Sequence, residues 1–416
     1  MLETNTALFA EVRNRFAHVD ACPISGKRIF FENAGGALTL KSVVETSAFY
    51  AAIPDNQGRD NETAHALVTT IAKAKADAHR FFGAGRGQVF VGESGTELLF
   101  RLIRNAIAAR PGEVVGSTVE HPASRSAAQH WADVLGRPYI SIPHDDALGL
   151  VTADAYAAHV TEGTAVATIL HTSPVTGMAN DVAAISAAIR AKAPEAFIIV
   201  DGIQHACHGA IDIDAYDIDG YVVSPYKVFS RHGYGVAWVS DRLTAQPHEQ
   251  LRGGPESAWE FGTRDTGAYA TFSDVTAYFE WLGGEVSDET DPRRRMEAAT
   301  RAIKAQELAL TDAAINGIGN LPGLADLPGV HILGGAENPA REGLISFWSD
   351  SVPAAEIVAD LNAHGIRTHI RKADHYSGNI LGPLGQASCV RVSFCHYNSI
   401  AEVRALLTAL RAIISS

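Results

Sequence analysis

Cysteine is scarce in this chain, with four residues among 416: Cys22, Cys207, Cys389 and Cys395. They form no CxxC pair and are too few for a disulfide framework at this length, so reduced thiols are expected. Positive charge is short as well. Lys and Arg total 34 against 47 Asp and Glu, a formal net charge of −13, which leaves no basic field to hold a nucleic-acid backbone or an anionic membrane surface. No apolar run approaches the roughly 20 residues that span a bilayer. The opening MLETNTALFAEVRNRF lacks the basic-then-apolar order of a signal peptide, so a cytoplasmic protein is expected. Also missing are a Pro/Gly/Ser-rich linker, a long charge run and an internal repeat.

What is present is ample core material, 46% hydrophobic residues, enough for two or three domains. From about residue 65 to 245, helical and strand patterns alternate as they do around a parallel α/β sheet. ALVTTIAKAKADAHRFF (66–82) and TELLFRLIRNAIAA have helical period, while GQVFVG and GEVVGSTVE read as strands. AVATILHTS (165–173), AFIIVDG (196–202) and DGYVVS (219–224) read as buried strands, and YGVAWVS (234–240) as a further one, a candidate for antiparallel pairing. Beyond residue 290 the pattern shifts to RRRMEAATRAIKAQELALTDAAI, GLISFWSD, AAEIVADLNAHG, CVRVSFC and SIAEVRALLTALRAII. The predicted architecture is α/β, with a mostly parallel central sheet in a large domain over 1–290, N-terminal segment included, and a smaller α+β domain over 291–416. RRRM (293–296) reads as a solvated helix face.

Lys227, in SPYKVFSRHGYG, follows one buried strand, and Asp201 ends the preceding one. In an open α/β sheet ligands bind beyond the carboxyl ends of the strands, so both side chains should project into one crevice. Such a pair suits pyridoxal phosphate: the amine forms an imine with the aldehyde, and the carboxylate keeps the pyridine nitrogen protonated so that the ring accepts electrons. Taken singly, each residue also fits a surface lysine or a turn aspartate.

Further segments join these two in order. FFENAGGA (30–37), VGESGTE (91–97), VEHPAS (119–124), VDGIQ (200–204), SPYK (224–227), FGTRDT (261–266) and VRVSFCHYNS (390–399) together resemble the class V aminotransferase superfamily of fold-type I pyridoxal enzymes, and within it the cysteine desulfurase and selenocysteine lyase group. The resemblance covers nearly the whole chain. It implies a cofactor phosphate at Ser94, Gly95, Thr96 and Ser224, where a helix N-terminus offers N–H groups. It implies His121 stacked on the ring, Asp201 at the ring nitrogen, Gln204 near the ring hydroxyl and Lys227 at the imine. Arg391 would clamp the substrate carboxylate, with Asn33 and Arg371 also toward the substrate. Thr263 would reach the partner subunit's phosphate, which implies a homodimer with a shared active site.

The departures bear on which reaction is run. Desulfurases of this group carry a cysteine on a mobile loop, in RTGHHC; the matching HIRKADHYSGN (369–379) has His375 and Tyr376 there and no cysteine. Alternation sets Cys395 on the Arg391 face of a strand, aimed at core or site. The family's SNVLGT asparagine gives way to Ser173 and Pro174, and its SGHK histidine to Tyr226. The expected enzyme is a pyridoxal-phosphate-dependent lyase that removes a β-substituent from an α-amino acid, C–S cleavage being the example, without an obligatory persulfide cysteine. The alternatives are an aminotransferase or epimerase of the same superfamily, and a non-enzymatic cofactor-binding regulatory or scaffold module. Three decoys are set aside. GAGRG (83–87) follows a helix and precedes a strand, the reverse of a dinucleotide loop; GESG (92–95) lacks the last glycine of a nucleophile elbow; and His205, Cys207 and His208, if they continue a strand, face opposite ways and share no metal.

Overall fold

A computed structural model describes residues 1–255, 258–263 and 265–414. Its centre is a seven-stranded sheet of β1 (Gln88–Gly92), β2 (Glu113–Ser117), β3 (Tyr139–Ile142), β4 (Thr164–Leu170), β5 (Phe197–Asp201), β6 (Gly220–Val223) and β7 (Gly235–Val239), in the spatial order β1-β7-β6-β5-β4-β2-β3. All pairings are parallel except those of β7, which is antiparallel to both β1 and β6, as YGVAWVS suggested. Strands β4 to β7 are buried along their whole length, which is why they read as continuous apolar runs without alternation.

The helices that cover this sheet begin where the sequence supplies caps. Among them are α1 (Thr6–Arg15), α2 (Lys41–Ala51), α3 (Glu62–Phe82), α4 (Gly95–Ala109), α5 (Pro122–Val134), α6 (Val182–Lys192) and α7 (Thr266–Val286). Asn61, Ser94, His121 and Asp181 each accept a backbone N–H of the first turn of α3, α4, α5 and α6. The glycine-rich 83–87 stretch is the stop of α3: Gly83 takes a left-handed φ of 60°, which a side chain would resist.

The second layer is a four-stranded antiparallel sheet, β8 (Val330–Ile332), β9 (Leu344–Ser349), β10 (His369–Lys372) and β11 (Ser388–Ser393), ordered β8-β9-β11-β10. It packs with α8 (Pro292–Asn316), α9 (Ala354–Ala363) and α10 (Ile400–Ile414) around its own core, which includes Phe347, Val390, Leu407 and Leu410. Residue 290 falls in the turn between α7 and α8, but one segment departs from that division. Ile29–Phe30 pairs in parallel with Ile366–Arg367, and Glu32 bridges to Ser393, so the N-terminal stretch joins the C-terminal layer. RRRM is not a uniformly solvated face either. Arg293 donates to the carbonyls of Arg80, Phe81 and Ile211, Arg295 donates to that of Glu289, Met296 is buried, and Arg294 alone of the four is exposed. Among the described residues no helix is long and apolar enough to cross a membrane.

Candidate active site

The carboxyl ends of the central strands converge on one pocket, lined among others by Thr96, His121, Asp201, Gln204, Ser224 and Lys227. Lys227 closes a one-turn 3-10 helix, Pro225–Lys227, that Pro225 starts directly after β6. Two residues on, Phe229 sits at φ 64°, a left-handed conformation that costs a bulky residue about 1–2 kcal/mol. Its fully buried ring meets Phe16 at 5.3 Å, His396 at 5.2 Å and Phe279 at 5.8 Å, and this packing holds the turn. The lysine is therefore buried and fixed. Its Nζ donates to Gln204 Oε1 at 3.0 Å, and burial, with the charge of Arg391 adding to it, pulls the amine down to about 8.

Asp201 is also buried. Oδ1 accepts the Ile203 N–H at 3.1 Å, while Oδ2 has no hydrogen-bond partner, and burial pushes the acid up to about 6. A buried carboxylate oxygen without a donor is a standing cost that a protonated ring nitrogen would remove. At the far side Ser94 caps α4, and Gly95 lies so close to Ser224 that an added Cβ would stand 2.3 Å from the serine Oγ. The first N–H groups of a 15-residue helix and a serine hydroxyl thus share a cradle that a side chain at position 95 would fill. His121 is half-buried at the cap of α5, its Nδ1 accepting the Ala123 N–H at 3.1 Å. Burial, then Lys227, pulls it down to about 3, so it is a neutral ring at physiological pH. These residues fit pyridoxal phosphate: an amine for the aldehyde, an unmet carboxylate oxygen for the ring nitrogen, a flat neutral ring, and an anion cradle.

Beside the pocket stands Arg391, 3% exposed on β11, between Ser346 of β9 and His369 of β10. Its Nη1 donates to the Pro174 carbonyl at 2.9 Å, and its Nε is buried without a partner. Burial, helped by Arg371, pulls it down to about 9, and among the described residues no carboxylate pairs with it. Glu32, whose field it feels, is turned to His369 at 3.2 Å. Arg371, on the same face of β10, lies with its Cζ 5.6 Å from the Tyr376 ring centroid. The following loop carries His375 and Tyr376, both exposed, with ring centroids 4.2 Å apart, and Tyr376 is 5.7 Å from the His121 ring.

Some expected residues lie elsewhere. The Asn33 amide donates to the Ser393 carbonyl at 2.7 Å and its Oδ1 accepts from Tyr397 at 2.5 Å. With its amide on Ser393 and its oxygen on Tyr397, it ties the N-terminal turn to β11. Thr263 is exposed outside its own chain's pocket, accepting from Asn56 at 3.5 Å. Strand β11 ends at Ser393, so alternation does not reach Cys395, which is fully buried. His205, Cys207 and His208 do not continue β5: the chain turns into a short 3-10 helix, His205–Cys207. His205 pairs with Glu342 at 2.8 Å and His208 with Glu307 at 2.7 Å, and among the described residues no cluster suits a metal. Sequence reasoning missed these two acids and the Pro174 carbonyl. His205 and Glu342 are 137 positions apart, and no local pattern joins them.

The family described as Aminotransferase class-V matches residues 29–406. Over 410 residues the chain is 28% identical to a probable cysteine desulfurase of Halobacterium salinarum, covering 92% of this chain and 90% of that one. It is 25% identical to the cysteine desulfurase-like protein ustD of Aspergillus flavus, covering 94% and 88%. Its fold matches a cysteine desulfurase of Thermococcus onnurineus solved in the apo state, with a TM-score of 0.80 at 19% identity over 98% of both chains. Since the matched span runs from before Asn33 to past Arg391, the chain belongs to the class-V aminotransferase family, and so to the enzymes that depend on pyridoxal phosphate.

Proposed function

We propose that this protein is a lyase that removes a β-substituent from an α-amino acid, with C–S cleavage the variant favoured by the names of its relatives, and that no cysteine serves as an obligatory sulfur acceptor. One observation carries the second half. The loop above the pocket offers His375 and Tyr376, while Cys207, Cys389 and Cys395 are buried and Cys22 sits on the Ala21–Lys27 hairpin outside the pocket. Burial pushes the Cys389 thiol up to about 11, far from the thiolate that attack on sulfur needs. Cys22 is the one thiol drawn down, to about 7 by Ser25.

When bound, pyridoxal phosphate supplies the electron sink for the bonds broken at the substrate. The chain's own residues do the rest. Arg391, an unpaired buried guanidinium, binds the α-carboxylate through two parallel hydrogen bonds, and this orients the Cα–H bond. Lys227 Nζ, an amine drawn close to neutral pH, takes that proton. The Cβ–substituent bond then breaks with its electron pair leaving on the substituent, and Tyr376 or His375 delivers a proton to it. His121 and the loop cover the reacting atoms. In the same reading the active unit is a homodimer. Val44 and Phe49 on α2 are 51% and 63% exposed, and Thr263 is exposed on the surface, where a second copy could reach it.

Replacing all four cysteines by serine or alanine tests the proposal. Turnover of a β-substituted amino acid to keto acid and ammonia should survive within about tenfold, roughly 1.4 kcal/mol in the barrier. A loss of several orders of magnitude traced to Cys22 or Cys395 alone would restore a persulfide route. Formation of a new amino acid or an inverted substrate instead would move the enzyme to transamination or epimerisation.

A further inference from the structure

Behind Lys227 runs a line of buried side chains that the steps above do not use. Lys227 Nζ donates to Gln204 Oε1 at 3.0 Å, Gln204 Nε2 lies 3.2 Å from His208 Nε2, and His208 Nδ1 lies 2.7 Å from Glu307 Oε2. Gln204, His208 and Glu307 are each no more than 3% exposed. Gln204 and His208 flank one 3-10 turn, whereas Glu307 comes from α8, in the other layer.

A carboxamide has one donating end and one accepting end, and each neighbour can meet only one of them. If His208 is neutral with its proton on Nδ1, its Nε2 accepts, the Gln204 amide N–H turns to it, and the Gln204 carbonyl faces Lys227, favouring an ammonium. If His208 carries both protons, Nε2–H donates, the carbonyl turns to the histidine, and the amide N–H faces Lys227. Only a neutral amine has the lone pair to accept it. Both arrangements use the same heavy-atom positions. We propose that Gln204 is a two-position relay through which His208 and Glu307 set the protonation of Lys227, holding it neutral while His208 is charged and as an ammonium while it is not.

The structure sets the Gln204 carbonyl toward Lys227, the arrangement of a neutral His208, whereas the charges around His208 favour its charged state and so the flipped amide, which occupies the same positions. Burial works against its charge, but Cys207 and Glu307 outweigh burial and push it well above its usual range. Cys207, hydrogen-bonded to Cys395 and buried, is pushed up and stays a thiol, so the counter-charge falls to Glu307, which burial pushes up and His208 draws back down. His396, beyond β11, is pulled down to about 3 by burial and is neutral. Glu342 is engaged by His205, and Lys304 faces Glu307 from α8 itself. On the far side Lys227 feels Arg391, Arg371 and Asp201. Glu307, His208 and Gln204 are thus positioning residues for Lys227, acting across the joint between the two layers.

The test concerns the ionisation of Lys227 in cofactor-free protein and needs no substrate, so it stands or falls independently of the lyase reading. Labelling of Lys227 by fluorodinitrobenzene, counted by mass spectrometry across pH, gives its midpoint. Glu307→Gln keeps the shape but removes the counter-charge, so His208 loses its proton and the midpoint should rise by about one pH unit, one hydrogen bond exchanged for another. His208→Gln should raise it in the same direction, which covers the case in which one variant fails to fold. In the Gln204→Met background, where no amide links the two sides, Glu307→Gln should move nothing. An unmoved or lowered midpoint in folded Glu307→Gln or His208→Gln, or a rise that persists without Gln204, overturns the relay.

Discussion

With one oxygen on the Ile203 N–H and the other facing no donor, Asp201 is held at a cost to the cofactor-free fold that its proposed role at the ring nitrogen would offset. Burial holds it at about 6 in place of the usual 3.8. The unfolded chain gives up this proton first, so as pH rises from about 4 to 6 the carboxylate costs the folded state stability, roughly 3 kcal/mol once both states are ionised. Asp201→Asn removes the cost. Cofactor-free Asp201→Asn should therefore need more urea to unfold than the parent at pH 7, with the difference gone below about pH 4. The same variant should lose nearly all turnover, because an amide cannot keep a ring nitrogen protonated. Equal stability at pH 7 would mean that Oδ2 already has a partner. The same tension exists at Lys227 and Arg391, each a buried cation pulled below its usual range by burial first.

Among the elements, the start of α4 forms the proposed phosphate cradle, and it does so by lacking a side chain. Gly95→Ala inserts a methyl group into the space beside Ser224 Oγ without asking for a strained backbone. It should leave the fold intact and weaken pyridoxal phosphate binding by tenfold or more, about 1.4 kcal/mol, measured by equilibrium dialysis; unchanged affinity would remove the phosphate from this cradle. That helix was legible in the sequence because Ser94 caps it and its apolar positions recur at helical spacing. The buried strands were legible as short apolar runs, and the placing of Asp201 and Lys227 followed from where those runs stop. Elements shaped by distant partners were not legible. The His205–Cys207 turn was weighed only as a possible continuation of the strand, because nothing in HACH announces Glu342 or Glu307. The hydrogen bonds of Asn33 to Ser393 and Tyr397 were likewise out of reach of any local pattern. RRRM was read as solvated because the carbonyls that Arg293 meets belong to the end of α3 and to Ile211.

For the whole molecule, the apolar side chains left open on α2 make assembly the natural test. Phe49→Glu should produce a monomer in sedimentation experiments, and that monomer should retain pyridoxal phosphate poorly, since Thr263 would have no second copy to approach. A fully loaded, active monomer would sink the shared-site reading. One feature of the architecture also bears on how the molecule is made. Asn33 bonds Ser393 across 360 positions, and Ile29–Phe30 pairs with Ile366–Arg367. During synthesis the N-terminal segment therefore emerges long before its partners exist and must wait unpaired, with an open strand edge, while the central sheet forms. A nascent chain that has just released Lys227 still lacks β7, the strand that joins β1 to the rest of the central sheet, and has neither Arg391 nor the β11 edge that will hold Asn33. The pocket side of the sheet can thus be completed only after β7 is made, and the ties of Asn33 and Ile29–Phe30 only after the chain has reached Ser393.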